Sequence, residues 1–330
     1  MNQEKSVRPL DPQLAEIVEA MRARHAPPPF SGTPAEARER MRRAIMAARE
    51  RTPLPRVGSV EDAIARYGDS RVPVRIYRPE TAGEHPTVVF FHGGGFVLGS
   101  VELMDDIARK LCRDSDAVIV SVEYRLAPEH PYPAAHDDAL TATLWAIDNV
   151  AVLGGDAACV AVAGESAGGN LAASTALALR DRGHALAAQL LIVPGVDMAR
   201  DVLTLKATQR DFPLLCPADL EDIVRLYMGE RRNEALQSPP SPLRAASHAG
   251  LPPAVIAIAG HDALCAEGRA YARCLAESEV PVRLLQFDDM FHPFFAFFEV
   301  SASARQANDE ICREFSRLLR ARSSQSSCAE

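Results

Sequence analysis

No stretch of about eighteen consecutive apolar residues occurs in this chain, so no membrane-spanning helix is expected. Positive charge is scarce as well. The 36 Lys and Arg face 44 Asp and Glu, giving a net charge of −8 and a pI near 5.7. That balance argues against nucleic acid or an anionic membrane surface as the main partner. Neither CxxC nor a Cys/His metal spacing is present. The seven cysteines (Cys112, Cys159, Cys216, Cys265, Cys274, Cys312 and Cys328) are odd in number and scattered, most of them within apolar segments. Such a set fits reduced thiols in a cytoplasm better than a disulfide framework. The opening MNQEKSVRPLDPQ has no apolar core, so no secretory leader is expected. GxGxxG and GK[ST] are both missing, which removes the usual nucleotide cradles.

What is present is an ordinary globular composition, 47% hydrophobic and 24% charged over 330 residues, enough to bury a sizeable core. HAPPPFSGTP is a proline-rich break. PAEARERMRRAIMAARE after it reads as a charged amphipathic helix with Met41, Ala44, Ile45 and Ala48 along one side. From Val60 the texture changes: VEDAIARYGDSRVPVRIYR predicts two short strands about a Gly-Asp-Ser turn. Apolar strands then recur at Thr87–Phe91, Ala117–Val122, Cys159–Gly164, Ala188–Val193, Ala254–Ala259 and Val282–Phe287. Helical patterns lie at 101–113, 135–149, 167–182, 266–278 and 303–321, which predicts parallel βαβ units. One interval breaks the rhythm. Between Met198 and Leu251 the segment RDFPLLCPADLEDIVRLYMGE predicts a helix, in the place where a lid would sit.

Two motifs carry chemistry. Gly164-Glu165-Ser166-Ala167-Gly168 follows an apolar strand and precedes a helix, the context that turns a short Gly-x-Ser-x-Gly pattern into a nucleophile elbow. Small neighbours let strand and helix approach while the Ser166 hydroxyl stands at the helix N-terminus. FHGGGFVLG ends the strand from Thr87, and its three glycines expose backbone N–H groups. Acyl transfer needs such donors where negative charge develops on a carbonyl oxygen.

HGGGF, then YRLAPEHPYPAAHDD, then GESAGGNLAA resembles the hormone-sensitive-lipase-like group of α/β-hydrolase carboxylesterases, over about Val74 to Phe294. The resemblance implies an α/β-hydrolase fold, with about eight strands in a mostly parallel sheet, helices on both faces and a helical cap. It implies an oxyanion hole from Gly94, Gly95 and the N–H of Ala167, with a register shifted to Gly93 left open. It also makes Tyr124–Ala135 and Asp138 scaffold around the site, gives His92 a part in shaping the oxyanion loop, and suggests pairing of two copies through the sheet edge.

In this fold the triad runs Ser, acid, His, so the base must come late. His292 in DDMFHPFF follows the last strand and is the strongest candidate; His248 and His261 also come late, but His261 directly precedes the expected acid and His248 precedes a strand. His130 and His136, six apart in a loop, lack helical metal-ligand spacing and read as structural. Asp262 in AIAGHDALCAEG stands just beyond a strand and is the expected acid, ahead of Asp197 and Glu267; Asp288 and Asp289 are too close to His292 to turn back onto it. Two departures stand out. Related sequences read Asp-Pro-Leu-Arg-Asp near the acid and His-Gly-Phe at the base, where this chain has DALCAEG and HPF, and Pro293 biases His292 toward an extended backbone. Phe291, Phe294, Phe295, Phe297 and Phe298 either line an acyl pocket or pack the core.

The expected organisation is an N-terminal part of the cap (1–55), a catalytic core in two parts (56–197 and 233–322) around a cap insertion (198–232), and a disordered tail (323–330). The expected activity is hydrolysis of short-chain acyl esters with no metal or organic cofactor, on a small-molecule substrate, in the cytoplasm. An amidase or peptidase on the same triad, and a non-catalytic receptor on the same fold, are the alternatives. A receptor is disfavoured by the presence of Ser166, Asp262 and His292 together.

Overall fold

A computed structural model describes residues 8–326; residues 1–7 and 327–330, Cys328 among them, lie outside the described residues. Two helices open the chain, α1 (Pro12–Ala23) and α2 (Pro34–Arg49). Each begins on proline behind a capping side chain. Asp11 accepts from the N–H groups of Gln13 and Leu14, and Thr33 and Glu36 cap each other reciprocally. β1 (Ser59–Tyr67) and β2 (Ser70–Arg78) form the expected antiparallel hairpin. β3 (His85–Phe91), α3 (Asp105–Ser115), β4 (Val118–Val122), α4 (Ala134–Asp148) and the single turn α5 (Val150–Leu153) follow. β5 (Gly155–Glu165) runs into α6 (Ala167–Asp181) and then β6 (Gln189–Ile192). The long interval holds α7 (Val202–Ala207) and α8 (Pro217–Met228). β7 (Ala254–His261), α9 (Cys265–Glu277), β8 (Val282–Phe291) and α10 (Ala302–Ser326) complete the chain.

The eight strands make one sheet in the order β1-β2-β4-β3-β5-β6-β7-β8. β2 pairs antiparallel with β4, and from β4 to β8 every pairing is parallel. Period-two alternation explains how one sheet builds two cores. Val89, Phe91, Val120, Val162, Leu191 and Ile256 face α4, α6 and α9, whereas Val88, Phe90, Ile119, Ala161, Leu190 and Val255 face α3 and α10. A buried Val, Leu, Ile or Phe contributes about 1.5–3 kcal/mol, so strands apolar on both faces drive this arrangement.

Several boundaries differ from the sequence reading, three of them with consequences for how the chain is laid out. α3 starts at Asp105, because Ser100 first forms a turn, its Oγ accepting from the Leu103 N–H at 3.1 Å. β5 begins at Gly155, which pairs with His85. The tail expected to be disordered from 323 continues α10 to Ser326. The five phenylalanines resolve toward the core: Phe291, Phe294, Phe295 and Phe298 are buried with Ile311 and Phe315 of α10, and Phe297 packs edge-on against Phe291.

Because β3, β5, β7 and β8 are parallel, their C-terminal ends share one edge of the sheet. The strand order reverses between β3 and β5, the topological switch point where open α/β sheets bind ligands. The glycine triplet follows β3 and Ser166 follows β5. No described helix is long and apolar enough to cross a membrane.

Candidate active site

Ser166 sits between β5 and α6 with φ 56° and ψ −114°, a region a non-glycine residue occupies only when its surroundings enforce it. The enforcement is visible. A Cβ on Gly164 would stand 2.1 Å from the Gly168 carbonyl oxygen, and one on Gly168 would stand 1.9 Å from the Phe91 oxygen. Strand, helix and the end of β3 therefore meet at backbone distance. The Ser166 N–H donates to the Ile192 carbonyl at 2.8 Å, pinning the turn to β6.

Within the triplet, a Cβ on Gly93 would be 3.7 Å from Ser166 Cβ and 3.2 Å from Glu165 Oε2, so this glycine lies against the elbow. Gly94 (φ 120°) and Gly95 (φ 60°) turn the loop over, and the Gly94 carbonyl accepts from the N–H groups of Val97 and Leu98. A Cβ on Gly95 would strike Ile223 of α8 at 2.7 Å and Phe30 at 2.8 Å. The connection between α1 and α2 and the helix α8 thus both crowd the oxyanion candidate. Arg38 of α2 adds a polar clamp, donating to the carbonyls of Val97 and Ala127 and to both oxygens of Glu129, at 2.7–2.8 Å.

Asp262 directly follows β7 and His292 directly follows β8. A local irregularity brings them together: Ala259 pairs with Phe287, but His261 pairs with Phe291, so β8 bulges before the histidine. His292 Nδ1 donates to Asp262 Oδ2 at 3.1 Å, and Asp262 Oδ1 accepts from the Leu264 N–H at 2.9 Å. The His292–Pro293 peptide is cis. Burial alone would lower the imidazole pKa, but the Asp262 charge and hydrogen bond, with a smaller push from Glu165, raise it above the ordinary histidine value.

The alternatives are engaged elsewhere. Asp197 receives a two-pronged contact from Arg244 at 2.8 and 2.9 Å, and Glu267 is bound by Arg200 at 2.6 Å and by the Asp197 N–H at 2.9 Å. His248 donates to the Pro242 carbonyl and His261 to the Arg8 carbonyl. His136 is held between the hydroxyls of Tyr227 (2.6 Å) and Ser174 (3.3 Å), and burial pushes its pKa down to about 4. His92 is stacked on Tyr124, donates from Nδ1 to the Gly93 carbonyl at 2.7 Å, and is likewise pushed down to about 4 by burial. It stays neutral and braces the oxyanion loop. Asp138 binds the backbone and guanidinium of Arg125, which makes the proline-rich stretch a fixed wall.

Three contributors escape the sequence reading. Phe30 and Ile223 carry no local signal, because loop and helix residues reveal contacts only in three dimensions. Glu165 does carry one: it is an acid that closes the apolar run Cys159–Gly164, and it is buried.

A family profile described as alpha/beta hydrolase fold matches residues 88–296. The chain is 40% identical over 242 residues to the esterase LipI of Mycobacterium tuberculosis, covering 71% of this chain and 74% of that protein. It is 37% identical over 272 residues to carboxylesterase NlhH of the same organism, covering 81% and 85%. The solved structure of a hyperthermophilic esterase from Pyrobaculum calidifontis superposes with a TM-score of 0.87 at 35% identity, covering 94% of this chain and 99% of that one.

Proposed function

The chain belongs to the α/β-hydrolase fold family, in its hormone-sensitive-lipase-like carboxylesterase group, and from that premise we propose that it hydrolyses short-chain acyl esters through an acyl-enzyme on Ser166. The observation that carries the reading is the strained backbone of Ser166 at the edge where the Asp262–His292 hydrogen bond also lies.

The chemistry follows from the donors. With its Nδ1–H given to Asp262, His292 presents Nε2 as a base. Ser166 Oγ attacks the ester carbonyl as Nε2 takes its proton, and Asp262 stabilises the imidazolium so formed. The new oxyanion rests on the N–H groups of Gly94, Gly95 and Ala167. Ala167 opens α6, so the helix dipole adds to its N–H, and one such donor is worth about 10²–10³ in kcat. Collapse expels the alcohol with the proton from His292, and water repeats the sequence on the acyl-enzyme. No step calls on a metal or an organic cofactor.

The described part of the N-terminal segment (8–55, of the expected 1–55) and residues 198–232 act as a cap over the core formed by 56–197 and 233–322. The contacts of Phe30 and Ile223 over Gly95 support this, and a roof so low favours short acyl groups. Buried thiols such as Cys112 and Cys312, in no disulfide among the described residues, support a reducing, cytoplasmic setting.

The test is kcat/KM for p-nitrophenyl esters from acetate to laurate, with a matched anilide beside each. The expected result is a maximum at butyrate or shorter and anilide rates far below ester rates. A steady rise toward laurate overturns the chain-length assignment, and comparable anilide hydrolysis makes the protein an amidase.

A further inference from the structure

Glu165 takes no part in the acyl-transfer steps above, yet it is joined to the nucleophile by one peptide bond. It is only 2% exposed, and its Oε1 has no hydrogen-bond partner among the described residues. Its Oε2 lies 3.2 Å from where a Cβ on Gly93 would stand, so the carboxyl sits where the elbow meets the oxyanion loop. A buried carboxyl with an open acceptor is costly, and one that persists needs a reason. The charged groups that bear on it come from each neighbouring element. His292 follows β8, Asp262 follows β7, and Asp106 lies on α3, itself paired with Arg49 of α2 at 3.3 Å. His92, after β3, is neutral.

We infer that Glu165 is a proton-dependent positioning residue of the site: as a carboxylate it supports the imidazolium of His292 during Ser166 attack, and on protonation it withdraws that support. The inference rests on the Ser166–His292–Asp262 reading. Its electrostatics are consistent. Burial pushes the Glu165 pKa up to about 7, the positive charge of His292 pulls it down, and Asp106 and Asp262 push it up. Glu165 in turn is one of the groups that raise His292. The carboxyl therefore gains or loses its proton near neutrality, where a general base must also work. Two coupled groups of this kind share their titration, so the enzyme should report the pair and not either residue alone.

The experiment is the pH dependence of kcat and kcat/KM for a short-chain ester, using the full chain as wild type, Glu165→Gln, Glu165→Asp and Ser166→Ala. For Glu165→Gln, kcat at mildly alkaline pH should fall about three- to thirtyfold with KM within about twofold, and the acid limb should move to lower pH by about half a unit to one unit. Glu165→Asp, which keeps the charge but withdraws it by one methylene, should show a smaller displacement in the same direction. A Glu165→Gln limb superposable on wild type overturns the inference even if overall activity drops, because a merely structural role leaves the limb in place. Should Glu165→Gln fail to fold, the Glu165→Asp limb decides, and an undisplaced one overturns the inference. Ser166→Ala separates the two levels: activity retained there overturns the triad reading and not the role of Glu165 alone.

Discussion

Replacing Asp262 by asparagine tests the acid against its rivals, because the three carboxylates have partners of different kinds. The introduced amide could keep the bond from the Leu264 N–H through its oxygen, but its NH₂ would face His292 Nδ1. That favours the tautomer with the proton on Nε2, which cannot act as base, and it deletes the charge that stabilises imidazolium. Comparable changes in Ser-His-Asp enzymes cost about 10⁴ in kcat, and four decades correspond to about 5 kcal/mol of barrier. The Asp262 charge also raises His292, so the surviving activity should have its acid limb at lower pH.

The rivals should respond in stability. Glu267 is paired with Arg200, whose side chain is 4% exposed, so Glu267→Gln strands a buried guanidinium. Breaking such a pair from one side costs about 3 kcal/mol, which for a chain of this length lowers Tm by about 4 °C. Asp197 pairs with Arg244, whose side chain is 37% exposed, and screening reduces the cost of Asp197→Asn to about 1 kcal/mol. Measuring Tm by calorimetry and kcat/KM against pH on all three variants gives a crossed pattern. Asp262→Asn should lose activity and keep Tm, while the other two should lose Tm and keep activity within about tenfold. A large kcat loss in Asp197→Asn with a near-normal Asp262→Asn would refute the assignment.

Two further outcomes follow from the same geometry. Neutral Glu165 stabilises the fold below its ordinary pKa of 4.5, and that contribution fades as pH rises through about 7; the full swing is about 3 kcal/mol. Glu165→Gln should therefore gain on wild type in chemical denaturation as pH rises from about 5 to 8, and parallel curves would contradict a buried carboxyl titrating there. Gly168→Ala puts a methyl 1.9 Å from the Phe91 oxygen and 2.6 Å from the His92 oxygen, so β3 or α6 must shift. It should lower stability by about 2–3 kcal/mol and displace the oxyanion loop; wild-type Tm and kcat together would show that the elbow is not close-packed.

Much of the site was legible because its signals are local. Val88 to Phe91 and Val160 to Gly164 are apolar on both faces, which only a doubly covered parallel strand requires, and the glycines about Ser166 mark a close approach. Chain order narrowed the histidines to the late ones. The Asp262–His292 bond then depends on the bulge in β8, which no run of residue types announces. Arg244 and Arg200 lie 47 and 67 residues from the carboxylates they hold, so sequence position left Asp197 and Glu267 as rivals until their partners were visible. α7 is six residues long, too short for helical periodicity to separate it from a loop. α1 carries a local signal in Asp11-Pro12, a cap followed by proline, that the sequence reading did not use, whereas the docking of the N-terminal region through Arg38 carries none.

The central claim, that Ser166 is the nucleophile, is tested most directly by covalent trapping. The wild-type protein is treated with a small p-nitrophenyl alkylphosphonate, released nitrophenol is counted per chain, and the modified peptide is located by mass spectrometry. The account predicts one equivalent released, the phosphonyl group on Ser166, complete loss of esterase activity, and neither label nor more than trace activity in folded Ser166→Ala. A label on another residue, or a folded Ser166→Ala variant that keeps about a tenth of wild-type kcat, would contradict it.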